Sequence, residues 1–446
     1  MAIIYDTPGK IARAVVEQVG PDVVLGLPIG IGKATHVADA LFELVASDAS
    51  LTLTIFTGLT LEIPEASSDF EQRLLTPLIE RWYANWPVPR YAQAIASREL
   101  PDNIEVHEFY LRPGAFLGDQ YVQQRYANIN YSQVADELKR LGVNVVAQLV
   151  AESVNKPGRY SLGSNPEVTL DLAPWFEERR ASGLPALLVG QVNSNMPYML
   201  GDADLDADAI DLVLSNDNLN YDLFSLPNRR VSDGDYATAM HVASLVRDDG
   251  TIQVGIGSLS DAVAHCLALR NTDPERFAAV LAQLPGGSGA KRRGELPIET
   301  SPFSQGLYSS TELLSDALFS LFEQGVVKRP ADAENSAVLE AGFFIGSGAL
   351  YDGLRNLSPE RRRLINMTRI SKVNTLFGDE HRKRAQRRDA RFINETMMIT
   401  LLGAAVSDAL EDGRVVSGVG GQFDFVSMAQ SLDNAMSILM CRARRE

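Results

Sequence analysis

The sequence predicts an α/β protein built from two related open domains, each with a mainly parallel sheet. Three observations predict it. Short, nearly continuous apolar runs alternate with helical patterns, as expected of strands buried on both faces between helices. The order strand, glycine turn, helix occurs at residues 22–46 and again at 251–269, which points to two units of one kind. The chain has 446 residues, 45% of them hydrophobic and 22% charged, ample for large buried cores.

The elements follow in order. Thr7-Pro8 opens a helix that runs to about Val19, with proline at the first helical position, where a missing N–H costs nothing. Residues 22–27 (DVVLGL) form a strand, 28–33 (PIGIGK) a turn and 34–46 a helix; residues 51–56 (LTLTIF) are the next strand. Further strands are expected at 143–150, 186–192 and 212–214. The polar stretch 227–235 (PNRRVSDGD) marks a boundary between domains 1–228 and 229–446. A helix at 236–246, a strand at 251–255 and a helix at 261–269 start the second domain. Residues 271–305, rich in Pro, Gly, Ser and charge, are expected as an exposed inserted loop. Leu314, Leu318, Leu321 and Phe322 recur at helical spacing, so a helix is expected over 313–324 with Thr311 as its cap and Glu312 in its first turn. The Arg- and Lys-dense stretch 360–391 reads as a solvated helical face, or more sharply as an anion or partner surface. Residues 435–441 (AMSILMC) read as a buried strand close to Glu446, which is expected of a C-terminally truncated domain.

Composition narrows function. The net charge is −16, from 41 Lys+Arg against 57 Asp+Glu, which argues against general nucleic-acid binding but leaves room for an anionic ligand at a local site. Cys266 and Cys441 are the two cysteines, too few for a disulfide framework or a thiolate metal site, so a reducing compartment is expected. The five histidines show no zinc-ligand spacing, so no metal is expected. No apolar run reaches membrane-spanning length and the first residues lack a signal-peptide pattern; the cytoplasm is the expected location.

Three segments could carry chemistry. Glu312, in SSTELLSD, taken alone is a first-turn glutamate favouring a helix dipole. Val254-Gly255-Ile256-Gly257-Ser258 is a strand-to-helix turn that lacks the third glycine of a dinucleotide fingerprint, which argues against a nucleotide-dependent dehydrogenase. Gly418-Val419-Gly420-Gly421-Gln422-Phe423-Asp424-Phe425 has three glycines in four residues, more than a plain turn needs, and suits a nest of backbone N–H groups. A carboxylate nucleophile needs little more than such donors facing the carbonyl oxygen it attacks.

Taken together and in order, these motifs resemble the acetyl-CoA hydrolase/transferase family, the branch of family I CoA-transferases that includes 4-hydroxybutyrate and acetate CoA-transferases. TIQVGIGSLSDAV (251–263) is similar to the family's glycine turn, and TELLSD (311–316) with EQGVV (323–327) to its nucleophile segment. AGFFIGSGALYD (341–352), INETMMITLLG (393–403) and GVGGQFDF (418–425) follow in the family's order. The match is clear from about Ala237 to Cys441.

The resemblance implies a CoA-transferase-like fold and an acyl-CoA:carboxylate CoA-transferase or acetyl-CoA hydrolase acting through a glutamyl anhydride and a glutamyl-CoA thioester. Glu312 is then the nucleophile. Gly420 and Gly421, with Gly257 and Ser258, are candidates for oxyanion stabilisation. Gly255, Gly257, Ser258, Thr311, Asn394, Gly418, Gln422 and Asp424 are candidates for binding substrate. CoA or acyl-CoA enters as substrate rather than cofactor, a small carboxylate is the second partner, and a homodimer is expected; neither nucleic acid nor membrane is. The chain departs from the family in carrying Ser310 where His is common, Glu395 where the family often has Ser, and an insertion at 271–305. The family also continues past the point where this chain ends, with a further functional glutamate. A non-catalytic CoA- or acyl-CoA-binding protein of the same fold is the alternative.

Overall fold

A computed structural model describes residues 2–443 except 65, 67, 207, 228, 229 and 287–297. Two sheets dominate it. The first has its parallel strands in the order Ile3–Tyr5, Leu212–Leu214, Leu187–Val192, Val145–Glu152, Asp22–Gly26, Thr52–Thr57 and Ile104–Glu108. The short strands Tyr160–Ser161 and Asp204–Leu205 add antiparallel pairs beside it. The second, wholly parallel, runs Ile365–Met367, Leu339–Phe344, Tyr308–Leu314, Thr251–Val254, Arg391–Glu395 and Met436–Met440. The α/β reading with mainly parallel sheets is therefore correct.

The strands expected in the first half lie within two residues of their expected positions at each end. The reason is visible in Val145–Glu152, where seven consecutive side chains are buried, since helices cover both faces. The strand Ile104–Glu108, at the sheet edge, carries a polar residue at every second position and gave no continuous apolar run.

Three expectations need correction. Thr311 and Glu312 do not start a helix: they lie in the strand Tyr308–Leu314, and the helix begins at Asp316, after Ser315. Leu314 lies four residues before Leu318 and mimicked a helical repeat, but it pairs with Phe344 in the sheet. Thr311 is fully buried and its Oγ1 donates to the Leu313 carbonyl rather than capping a helix. The inserted segment is not all loop. Pro274–Gln283 is a helix capped by Asp273, with Phe277 and Leu281 buried; residues 287–297 lie outside those described.

The basic stretch is not one solvated helical face either. It breaks into short helices, at Pro359–Arg362, Ile370–Val373 and Glu380–Gln386, around two strands. Lys383, Arg387 and Arg391 are buried and donate to backbone carbonyls, so burial is compensated by charge-assisted hydrogen bonds. The boundary expected at 228/229 falls on residues outside those described. Among the described residues no helix is long and apolar enough to cross a membrane.

Chain segments that carry the two sheets meet through specific bonds. Leu111 N–H donates to the Ser417 carbonyl, Tyr131 N–H to the Gly420 carbonyl, and Phe344 N–H to the Ser164 carbonyl. The Tyr351 hydroxyl donates to the Phe224 carbonyl at 2.8 Å. Residues far apart in sequence are thereby held together.

Candidate active site

Glu312 sits at the carboxyl end of its strand, where strands of a parallel sheet present side chains to a crevice. It alone in Tyr308–Leu314 keeps partial exposure; its six neighbours are buried. Its carboxylate has a defined setting. Asn374 Nδ2, just after the helix Ile370–Val373, donates to Oε2 at 2.7 Å and also reaches Asp424 Oδ2 at 3.1 Å. Asp424, in the first turn of the helix Gln422–Ser431, accepts from the Ser132 hydroxyl at 2.7 Å and from its N–H at 3.3 Å. Two carboxylates thus share one amide donor.

The glycine turn closes over this carboxylate. A methyl group placed on Gly421 would lie 1.7 Å from Glu312 Oε2 and 2.4 Å from Asn374 Nδ2, so only glycine admits the close approach. Gly420, at φ +58°, turns the chain here; a methyl group on it would lie between the Tyr110 ring at 3.4 Å and Glu312 Oε1 at 3.9 Å. Gly418 packs directly on Tyr110 and the Phe109 carbonyl. The turn is therefore pinned between Glu312 on one side and residues 109–131 on the other.

Electrostatics follow from the packing. Burial pushes Glu312 up to about 8, the Asn374 bond opposes the shift, and the charges of Asp424 and Glu167 add to it. Asp424 is likewise raised, mainly by burial. Glu167 begins the helix Glu167–Ala181, is fully buried, and is pushed to about 7 by burial. Its Oε1 accepts from the Tyr131 hydroxyl and from Asn165 Nδ2, at 3.0 and 3.1 Å, while Oε2 is left without a partner. Tyr131 thus links Glu167, through its hydroxyl, to Gly420, through its N–H.

The second glycine turn follows the strand Thr251–Val254, which pairs with the Glu312 strand. Successive strands run outward from Thr251–Val254 to Ile365–Met367, and the chain then returns to the other flank of Thr251–Val254 with Arg391–Glu395. The carboxyl ends of Thr251–Val254 and Arg391–Glu395 therefore flank the topological switch point of the sheet, where ligands of open α/β sheets bind. Gly255, Gly257, Ser258 and Asn394 are at this point. Gly255 faces Asn394, whose amide exchanges two hydrogen bonds with that of Gln253 at 3.0 and 3.1 Å. Gly257, at φ +124°, packs against the Glu395 carboxylate. Arg442 donates to the Ser258 hydroxyl at 2.5 Å and pairs with Asp235 at 3.1 Å.

Of the residues singled out from sequence, Glu312, Gly420, Gly421 and Asp424 come together. Gly255, Gly257, Ser258 and Asn394 form the second group, with Gly257 and Ser258 beside Glu395 and Arg442. Gly418 packs on Tyr110, Gln422 opens the helix after the turn, and Thr311 is buried in the strand. Sequence reasoning missed Asn374, Tyr110, Tyr131, Glu167 and Arg442, which lie in segments without a motif. Among the described residues no group of three His, Cys, Asp or Glu side chains is placed to hold a metal ion.

This geometry defines a class before any family: a two-sheet α/β protein with a partly buried carboxylate under a glycine turn. In fold the chain is similar to RipA from Yersinia pestis, with a TM-score of 0.65 at 19% identity, over 100% of this chain and 82% of that one. Residues 346–446 match the model of the acetyl-CoA hydrolase/transferase C-terminal domain. The chain is 25% identical over 302 residues to the 4-hydroxybutyrate coenzyme A transferase of Clostridium kluyveri, covering 68% of this chain and 57% of that protein. It is 24% identical over 280 residues to the succinyl-CoA:acetate/propanoyl-CoA:succinate CoA transferase of Fasciola hepatica, covering 63% and 47%. The chain thus spans about half the length of these curated relatives.

Proposed function

We propose that the protein is an acyl-CoA:carboxylate CoA-transferase or acyl-CoA hydrolase with Glu312 as its nucleophile. The observation that carries this reading is the Glu312 carboxylate, held by Asn374 and closed over by Gly420 and Gly421, at the carboxyl end of a parallel strand. A glutamate serving only to hold the fold does not require a glycine turn within contact of its oxygens. The similarity to two CoA-transferases supports the substrate class.

A Glu312 oxygen attacks the acyl-CoA thioester carbonyl, the C–S bond breaks, and an acyl-glutamyl anhydride and CoA thiolate result. The thiolate attacks the glutamyl carbonyl, the anhydride C–O bond breaks, the free acid leaves and a glutamyl-CoA thioester remains. A second carboxylate reverses both steps and departs as the new acyl-CoA; water in its place gives hydrolysis. Each attack places negative charge on a carbonyl oxygen. The N–H groups of the Gly420–Gly421 turn are assigned as donors to it, and one such donor contributes about 3–4 kcal/mol to barrier lowering.

CoA itself is assigned to the switch-point group, Gly255, Gly257, Ser258 and Asn394, beside the Arg442–Asp235 ion pair. Thr311 and Gln422 support the walls, and Asp424 orients Asn374. Domains 1–228 and 229–446, a homodimer and a cytoplasmic location belong to the same reading. Mass spectrometry after incubation with acyl-CoA and borohydride tests it: turnover with Glu312 unmodified sinks the mechanism. CoA binding without thioester exchange favours the non-catalytic alternative.

A further inference from the structure

The basic stretch that function leaves unused lines a second cavity. It measures about 570 Å³, within the size range of small-molecule sites, and lies between the 201–202 turn and residues 335–386. Its wall carries five cations, three of which are already engaged. Lys372 pairs with Glu340 at 2.7 Å and Asp202 at 3.6 Å, and Arg382 with Asp332 at 2.7 Å. Lys383 donates to the Ser371, Thr375 and Phe377 carbonyls at 2.8, 3.2 and 2.6 Å. The two others, Arg363 and Arg369, are exposed, and their guanidinium groups make no hydrogen bond or close ion pair among the described residues, though Arg369 lies in the field of Asp171 and Asp202 and Arg363 in that of Glu360. The lining carboxylate of Asp202 is taken up by Thr368 Oγ1 at 2.5 Å and Asn366 Nδ2 at 3.3 Å as well as Lys372, and Asp379 starts the helix Glu380–Gln386.

The same cavity has an aromatic rim. Phe377 is 84% exposed, unusual for a ring whose backbone is held in place by the buried Lys383 ammonium. Ala337 and Ile365 supply an apolar floor. Two unpaired guanidinium groups suit phosphate oxygens, since each offers a planar fork of donors. An exposed ring on a backbone held by Lys383 suits a flat base stacked on it. Metal-ion or cationic ligands are disfavoured by the free arginines, and an extended polyanion by the chain's net charge of −16.

We propose that this cavity binds a nucleoside phosphate, with the phosphates on Arg363 and Arg369 and the base on Phe377. The site is separate from the switch point assigned to CoA. It is nonetheless close in sequence to the catalytic candidate: Ser371 and Lys372 line it, and Asn374, two residues on, donates to Glu312.

The test is calorimetric titration of the protein with ADP and with pyrophosphate at low ionic strength, for wild type, the double variant R363A/R369A, and F377A. All three substituted side chains are exposed, and circular dichroism checks that the fold is kept. ADP is expected to bind wild type and to bind R363A/R369A at least tenfold more weakly. F377A is expected to weaken ADP several-fold and leave pyrophosphate unchanged. Absence of ADP binding to wild type overturns the proposal. Equal ADP affinity in wild type and R363A/R369A also overturns it, because binding would then be at the switch point. An F377A variant that binds ADP as wild type does overturns the assignment of the base. These readouts do not depend on turnover, so failure of the Glu312 mechanism leaves them interpretable.

Discussion

Substituting Gly421 by alanine is the sharpest perturbation of the proposed site. At φ −101° the backbone accepts alanine without strain, so any loss comes from the side chains the new methyl group meets. The new methyl group, however, would lie 1.7 Å from Glu312 Oε2, against about 3.4 Å for ordinary contact. The carboxylate must retreat by the difference, about 1.7 Å, and a misplacement of about 1 Å already costs roughly a hundredfold in rate. Gly421→Ala is therefore expected to lower kcat/KM by about 100-fold or more, close to 2.7 kcal/mol. Thermal unfolding should move by only a few degrees. Gly420→Ala supplies the contrast. At φ +58° it costs about 1–2 kcal/mol of stability, while its methyl group clears Glu312 at 3.9 Å. The assay is thioester exchange between an acyl-CoA and acetate, with unfolding followed by calorimetry. A Gly421→Ala protein within threefold of wild-type activity would refute the placement of the reacting carboxylate under this turn.

Three other perturbations follow from the same contacts. Asn374→Ala removes the donor that favours the Glu312 anion, so the acidic limb of the kcat/KM profile should move to higher pH with a roughly 10- to 100-fold loss at pH 7; Asn374→Asp adds a third carboxylate and should lose more. Burial holds Glu312 at about 8 instead of 4.5, so the folded state retains a proton that the unfolded state gives up, and folding stability contributed by this group falls between about pH 4.5 and 8. Glu312→Gln should then gain on wild type as pH rises through that window, by on the order of 3 kcal/mol in urea denaturation, with no pH-dependent gain below it. Tyr131→Phe removes one donor to the buried Glu167 while leaving the ring and its N–H bond to Gly420, and should cost about 1–3 kcal/mol of stability by denaturant titration.

The fold was legible where packing leaves a local trace. Strands buried on both faces, such as Val145–Glu152, are apolar throughout, and the glycine turns announce sharp chain reversals. The nature of the strand Tyr308–Leu314 was not legible, because Leu314, Leu318 and Leu321 share a helical interval across a strand–helix junction. Glu312 and Gly421 could be named from motifs, but not their contact, which depends on segments 109 residues apart. Asn374, Tyr131 and Glu167 left no local signal, since each acts through a tertiary hydrogen bond from a segment of ordinary composition.

The shift of Glu312 from helix start to strand end alters its chemistry as well as its address. In a first helical turn the dipole would favour the anion and keep the carboxyl strongly acidic. At the strand end that help is missing, and burial with Asp424 and Glu167 nearby favours the protonated form. With a value of about 8, roughly one molecule in ten carries the anion at pH 7. That fraction is small, but the basicity that suppresses it makes the ionised oxygen a stronger nucleophile toward a thioester than an ordinary carboxylate. Asn374 and the Gly420–Gly421 turn then set the compromise: they give the anion a fixed position without restoring ordinary acidity. Bringing a further cation beside Glu312 would raise the ionised fraction while weakening each attack, and the described residues place none in hydrogen-bond contact with it.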